Sequence, residues 1–242
     1  MPSSHIDILL LTARPAAGKS EIIHFLKNLD QHTLLDQYHL APFKELDDFP
    51  MIWTWFEEDD QLEKMGKPRI HSDEEGYFLY PYLWDVLIRR LGVEYDKLLR
   101  DHPDFHHDHS AVLEFARGSE HGGYRSAFKH VSENIASRLA ILYINVSFEE
   151  SLRKNRARFN PEKPDSILQH SLPDEKMDRL YHDTDWQIVA PGASGFVEIA
   201  GYSVPFVVME NEDDVTTKGG RFLAERLQKS MANLWLLYNQ SH

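Results

Sequence analysis

Four short runs of the chain are mainly apolar: Ile8–Thr12, Ala111–Ala116, Ala140–Val146 and Val204–Met209. None alternates apolar with polar, as a strand with one wet face would. Such runs suit strands covered on both sides, as in a parallel sheet. A weaker run at Tyr38–Phe43 predicts a further strand, for five core strands in all. Helical patterns fall between them, at Glu21–Leu29, Tyr124–Arg138, Phe148–Phe159 and Lys218–Tyr238. In the last, Leu223, Leu227, Met231, Leu234 and Tyr238 recur at spacings of three and four and form one apolar stripe. Strand alternating with helix predicts right-handed crossovers, hence an α/β fold with a doubly wound parallel sheet.

Two segments break the alternation. Residues 49–109 are aromatic-rich and acidic, and "YPYLWDVLIRRLGVEYDKLL" within them reads as a helix, so the segment is expected to form a helical insert. Residues 159–185 are polar and contain three prolines, and read as a lid segment. Trp186–Ala190 and Phe196–Ala200, joined by "PGASG", are expected to pair as a hairpin before the last strand. The whole of residues 1–242 reads as one domain with these two excursions.

Composition narrows the setting. With 42% hydrophobic and 27% charged residues, the chain is an ordinary globular one. It has no cysteine, which excludes disulfides and thiolate metal sites and fits a reducing compartment. No run approaches the ~18 apolar residues of a membrane span, and the N-terminus lacks the features of a signal peptide. A soluble, cytoplasmic protein is the expectation, with no membrane partner; the oligomeric state is not legible. A net charge of −13 argues against a nucleic-acid partner. It also singles out "RKNRAR" (153–158), where four basic residues fall within six.

The first strand runs into Ala13-Arg14-Pro15-Ala16-Ala17-Gly18-Lys19-Ser20 and then into a helix beginning near Glu21. Binding a polyphosphate needs a tight loop of small residues whose N–H groups face the anion. It also needs a helix N-terminus behind the loop, and a lysine and a hydroxyl to reach the terminal phosphates and a Mg²⁺ ion. All are present in order, with Ala13 in the place of the first glycine. The chain here resembles the P-loop nucleoside triphosphate-binding superfamily, in the looser form of its Walker A pattern. The resemblance implies that Lys19 contacts the β- and γ-phosphates and that Ser20 ligands Mg²⁺. The alternative is an accidental GKS turn.

No guanine-reading "NKxD" is present, and no strand ends in two acidic residues, as a motor ATPase would show. "VLEFARG" ends near Glu114 with Arg117 following, and so resembles the strand end of P-loop nucleoside, nucleotide and small-molecule kinases. In those enzymes the carboxylate lies beside Mg²⁺ or the acceptor hydroxyl, and the arginine reaches substrate. The plain alternative is that Glu114 caps the next loop and pairs with Arg117. "LYINVSFEESLRKNRARF" resembles the strand, helix and arginine-bearing lid of the same group. That resemblance makes Arg153, Arg156 and Arg158 candidates to stabilise the transferring phosphoryl. Arg153 and Arg156 share one helix face, and Lys154 and Arg158 another, so one pair can face the site and the other water. A solvated basic face is the competing reading. Asn211 to Asp214 would pass the adenine ring, or Asp213, Asp214 and Thr216 simply turn the chain and cap a helix.

On the acceptor side, Lys44, Asp47 and Asp48 follow the weak second strand, at the carboxyl end where ligands of wound sheets lie. Either aspartate suits a substrate hydroxyl or a cation-bound water; a solvated turn is the alternative. The insert's rings (Trp53, Trp55, Phe56, Tyr77, Phe78, Tyr80, Tyr82, Trp84) can stack on a base or sugar, but most are expected to form the insert's own core. "FHHDHS" (105–110) has metal-ligating residue types at a spacing poor for convergence. The overall expectation is a kinase that moves the γ-phosphoryl of ATP, with Mg²⁺, to a small-molecule or nucleoside-type acceptor. The alternatives are a nucleotide-binding regulatory protein with weak hydrolysis or none, and more remotely a metal hydrolase using His106, His107 and His109.

Overall fold

The computed structural model describes residues 4–158 and 171–241. Strand β1 (Ile8–Ala13) leads through the small-residue loop into α1 (Lys19–Lys27) and α2 (Gln31–Tyr38), and then to β2 (Phe43–Asp47). Helices α3 (Phe49–Lys64) and α4 (Leu83–Asp101) separate β2 from β3 (Ser110–Phe115). Next come α5 (Gly123–Phe128), α6 (Glu133–Ala136), β4 (Leu139–Asn145), α7 (Phe148–Arg158), α8 (Asp174–Tyr181) and α9 (Trp186–Val189). The hairpin of β5 (Ser194–Ile199) and β6 (Tyr202–Glu210), α10 (Val215–Lys218) and α11 (Gly220–Ser241) follow.

The strands lie in the order β2-β3-β1-β4-β6-β5; the first five are parallel, and β5 runs antiparallel at the edge. The apolar runs have the expected cause. Ile8 and Leu10 face a layer with α4, α5 and α6, while Leu9 and Leu11 face α1, α2 and α11. Strand β4 divides in the same way, with Ile141 and Tyr143 on one side and Ala140 and Leu142 on the other. With helices on both faces, no position of β1, and none of β4 before Asn145, is left to water. The chain leaves β1 toward β2 on one side and later reaches β4 on the other. A crevice therefore opens at the carboxyl end of β1.

Four expectations need correction. Tyr38 ends α2 and does not start a strand; His39 closes that helix with a left-handed backbone (φ 54°), and β2 begins only at Phe43. Helix α2 buries only Leu34 and Tyr38, too thin a stripe to read, although its Asp30 cap is clear in the bond from the Thr33 N–H. Trp186–Val189 is helical and is anchored where the Trp186 ring stacks on Tyr143 at 4.1 Å. The hairpin lies one step later, joining β5 to β6 through Ala200 and Gly201, both at positive φ (51° and 83°). Two such residues form the turn that fits the twist of paired strands, but Ala-Gly is a weak sequence signal for it. The expected helix at Tyr124–Arg138 is two short helices, and left-handed Gly219 and Gly220 separate α10 from α11. Residues 159–170 of the expected lid lie outside the described residues. Among the described residues, no helix is long and apolar enough to cross a membrane.

Candidate active site

The loop after β1 is gripped from behind. The Ser151 hydroxyl donates to the Pro15 carbonyl at 2.7 Å, and the Asn211 amide donates to the Ala17 carbonyl at 2.8 Å. In a trans peptide the N–H points opposite its carbonyl. These two bonds therefore turn the N–H groups of Ala16 and Gly18 the other way, toward the cleft that Ala16, Lys19 and Ser20 line. Gly18 caps α1 at φ 115°, a conformation that suits glycine, and a Cβ there would meet Thr216 Oγ1 at 2.5 Å. Ala16 holds a left-handed backbone (φ 56°) without glycine's freedom, so the grip keeps a strained loop in shape.

The grip is itself a buried network. Asn211 is fully buried and bonds Thr216 Oγ1 at 2.8 Å, while Lys154 Nζ reaches the same hydroxyl at 2.9 Å and also pairs with Asp214. Asn211 thus positions the loop after β1 through its side chain, and Lys154 is a structural cation behind it. Arg14 points away from the cleft and bonds the carbonyls of Val146, Tyr181 and His182, tying the loop to the ends of β4 and α8. We expect Asn211→Ala to lower stability by about 1–3 kcal/mol and to weaken nucleotide binding. Urea unfolding and calorimetry check the two effects.

Opposite the loop, β2 and β3 place two acids side by side, since Asp47 pairs in register with Glu114. The cleft between loop and acids has a volume of about 1030 Å³. Burial, reinforced by the charge of Asp48, pushes the Asp47 carboxyl up to about 6. Burial pushes Glu114 up to about 7, with Lys19 opposing and Asp47 adding to the shift. Two buried carboxyls on adjacent strands favour their protonated forms until positive charge arrives. Two carboxylates and one serine hydroxyl suit Mg²⁺, which takes few protein ligands and fills its sphere with phosphate oxygens and water. Together with the inward-facing amides, the residues present fit a magnesium–nucleoside triphosphate.

Asp48 and Arg117 form a buried pair at 2.7 Å, their side chains 5% and 2% exposed. Burial pushes the Asp48 carboxyl up against the pull of Arg117. The guanidinium also bonds the carbonyls of Ala116 and Trp84 and lies over the Trp84 ring. The pair forms the floor of the cleft, with little of either side chain left to hold a substrate.

The other expected residues divide cleanly. Pro15, Ala16, Lys19, Ser20, Glu21, Asp47, Asp48, Glu114, Arg117 and Arg158 line the cleft. Ala13, Ala17 and Gly18 shape the loop without lining it. Lys44 lies near the start of β2, because that strand starts later than expected, and is not brought to the site. Arg153 is bound to Glu150 and Asp214 and Arg156 to Asp174, all outside the cleft. Of the two helix faces, the one with Lys154 and Arg158 is turned inward. Arg158 reaches the cleft on a loose contact to Glu21 at 3.5 Å. His106 is taken by the Tyr95 hydroxyl and the His109 carbonyl. Among the described residues, no group of three or more His, Asp or Glu can hold a metal ion.

Sequence reasoning missed Thr216 as the other half of the Asn211 grip. It also missed Asn155, which is buried in the cleft wall and fixed by both backbone groups of Leu172. A threonine five residues after Asn211 was visible, but only as a helix cap. No family model matches the chain, and no curated protein matches it. Among solved structures, the chain is similar to the crystal structure of a gluconokinase from Sinorhizobium meliloti 1021. The two are 13% identical, with a TM-score of 0.46, over 98% of this chain and 99% of that one. So slight a likeness carries no argument about function.

Proposed function

We propose that the protein is a phosphotransferase that moves the γ-phosphoryl of ATP to a hydroxyl of a small-molecule acceptor. What supports this most is one conjunction in a single cleft. A loop with its carbonyls held behind it and Lys19 face two adjacent, proton-hungry carboxyls, Asp47 and Glu114. The Ala16 and Gly18 amides and the first turn of α1 hold the phosphates, and Lys19 neutralises the terminal one. Mg²⁺, held by Ser20 with Asp47 or Glu114, would supply charge neutralisation of the phosphates.

The carboxyl left free of the cation orients the acceptor hydroxyl and takes its proton. The acceptor oxygen bonds to the γ-phosphorus as the bond to the bridging oxygen breaks, and that electron pair leaves with ADP. Arg158 is the cation of the basic helix placed to meet charge building on the transferring group. Arg153 and Arg156 carry no role in this reading.

The pH dependence follows from the raised carboxyls. The base acts ionised, so kcat/KM should fall on the acid side, with its limb between Asp47 at about 6 and Glu114 at about 7. A flat profile from pH 5 to 8 would remove the carboxylate base from the account. The alternative, a nucleotide-binding regulator, is separated by measuring ADP release with and without pooled hydroxylated metabolites. Acceptor-stimulated release, lost in Glu114→Gln, supports transfer. Slow release indifferent to any acceptor supports the regulator.

A further inference from the structure

The insert's rings were expected to pack into a core of their own, and they do so only in part: Phe78 meets Trp55, Phe56 and Trp84, yet the cluster stays open to solvent. Of Trp53, Trp55, Phe56, Tyr77, Phe78, Tyr80, Tyr82 and Trp84, none is buried. On α3, Phe49, Ile52, Trp53 and Phe56 fall at helical spacing and face a second cavity of about 430 Å³, with Phe78 and Trp84 on its other walls. That volume lies within the range of small-molecule pockets, about 300–1,000 Å³. The cavity adjoins the catalytic cleft: Phe49, Ile52, Trp84 and Tyr181 line both. Half-solvated rings around a concave space are apolar surface that a ligand would remove from water.

The polar groups at this annex are few. Arg179 is paired with Glu120 at 3.2 Å and lies over the Tyr77 ring. Lys176 is different. Its ammonium lies 5.0 Å from the Tyr77 ring centre, with a long bond of 3.4 Å to the Gly76 carbonyl. Among the described residues no carboxylate forms an ion pair with it; burial lowers its pKa, and Asp73 and Glu75 oppose that shift from farther off. A partly desolvated cation at the mouth of an aromatic chamber is placed for an anionic group. Most of the annex wall is aromatic or aliphatic, with Glu120, Lys176 and Arg179 as its charged side chains, so it favours a flat apolar body over a row of hydroxyls.

We infer that the acceptor is a hydroxylated molecule with a planar apolar body and one anionic group. The body occupies the annex between α3 and Trp84, the anion meets Lys176, and the hydroxyl extends past Trp84 to Asp47 and Glu114. This rests on the phosphotransferase reading only for the fate of the hydroxyl; the annex binds such molecules in either case.

The test uses four probes: 4-(hydroxymethyl)benzoate, 6-(hydroxymethyl)-2-naphthoate, the uncharged 4-methylbenzyl alcohol, and gluconate as an acid without a ring. Trp53 and Trp84 line the annex, so intrinsic tryptophan fluorescence reads occupancy directly. The aromatic acids are expected to change it saturably, and the uncharged alcohol to bind about tenfold more weakly. Gluconate should leave it unchanged at roughly 10 mM, a concentration that would reveal even millimolar affinity. Lys176→Ala should remove the preference for the acids while keeping the alcohol's affinity, which a misfolded variant would not. Equal affinity for acid and alcohol, or gluconate binding more tightly than either aromatic acid, would overturn the inference. So would silence from both aromatic acids in protein that still binds Mg·ATP through Lys19. Aromatic acids that bind with Lys176 dependence but never stimulate ADP release would instead leave the annex standing and bring down the phosphotransferase reading.

Discussion

Replacing Glu114 by glutamine is expected to stabilise the fold above pH 7 while removing most of the phosphotransferase activity. The sign comes from proton binding. A glutamate titrates at 4.5 in the unfolded chain, and burial raises Glu114 to about 7 in the folded one. Between those values the native state holds more protons than the unfolded state, so stability falls as pH rises through the window. Above pH 7 the folded protein carries a buried charge that only Lys19 offsets, at a cost of about 1–3 kcal/mol. Glutamine keeps the shape and removes that cost. The variant should therefore melt higher than wild type at pH 8, by about 2–4 °C per kcal/mol for a chain of this size, and match it near pH 4.5. Acceptor-dependent turnover should fall by about 10²–10⁴, the usual contribution of a positioned base. A variant less stable than wild type at pH 8 would mean that Glu114 is a structural partner rather than a group held ready for function.

Asp48→Ala should produce the largest loss of stability of any single change in the cleft, about 3–5 kcal/mol, because it strands a buried guanidinium. Arg117 has only backbone carbonyls and the faces of Trp84 and Phe115 to fall back on. The double change of Asp48→Leu with Arg117→Met should recover much of the loss, since an apolar pair of similar volume incurs no desolvation penalty for charge. Urea unfolding of both variants separates the cases. A double variant as unstable as Asp48→Ala would show that the pair is needed for specific contacts rather than for charge balance. Nucleotide affinity should change less than stability, because neither side chain is free to reach phosphate.

These two neighbours show how far sequence could be read. Asp47 and Asp48 are adjacent and identical in type, and both were candidates for the acceptor. What separates them is strand register: Asp47 is the last residue of β2 beside Glu114, whereas Asp48 turns under the cleft to Arg117. Register is a tertiary fact, and a weak strand such as β2 does not announce its own ends. The strand, loop and helix at residues 8–27 were legible because their signals coincide within twenty residues. The basic helix was legible as a pattern but not in its orientation. Its two faces are equally basic, and only Asp214 and Thr216, some sixty residues away, draw Lys154 inward. The aromatic insert misled for a similar reason. Aromatic residues signal large buried area, and composition alone cannot tell a packed core from the wall of a cavity.

In the function proposed, the loop at residues 13–20 holds a nucleoside triphosphate in the cleft facing Asp47 and Glu114. The most direct test is calorimetric titration of the wild-type chain and of Lys19→Ala with Mg·ATP. Wild type should bind at micromolar concentration and the variant at least about a hundredfold more weakly, both titrated at a temperature where circular dichroism shows them folded. That ratio corresponds to about 2.7 kcal/mol, within the range for a charge-assisted contact to phosphate. Absence of wild-type binding at millimolar Mg·ATP, or equal binding by both proteins, would contradict the account.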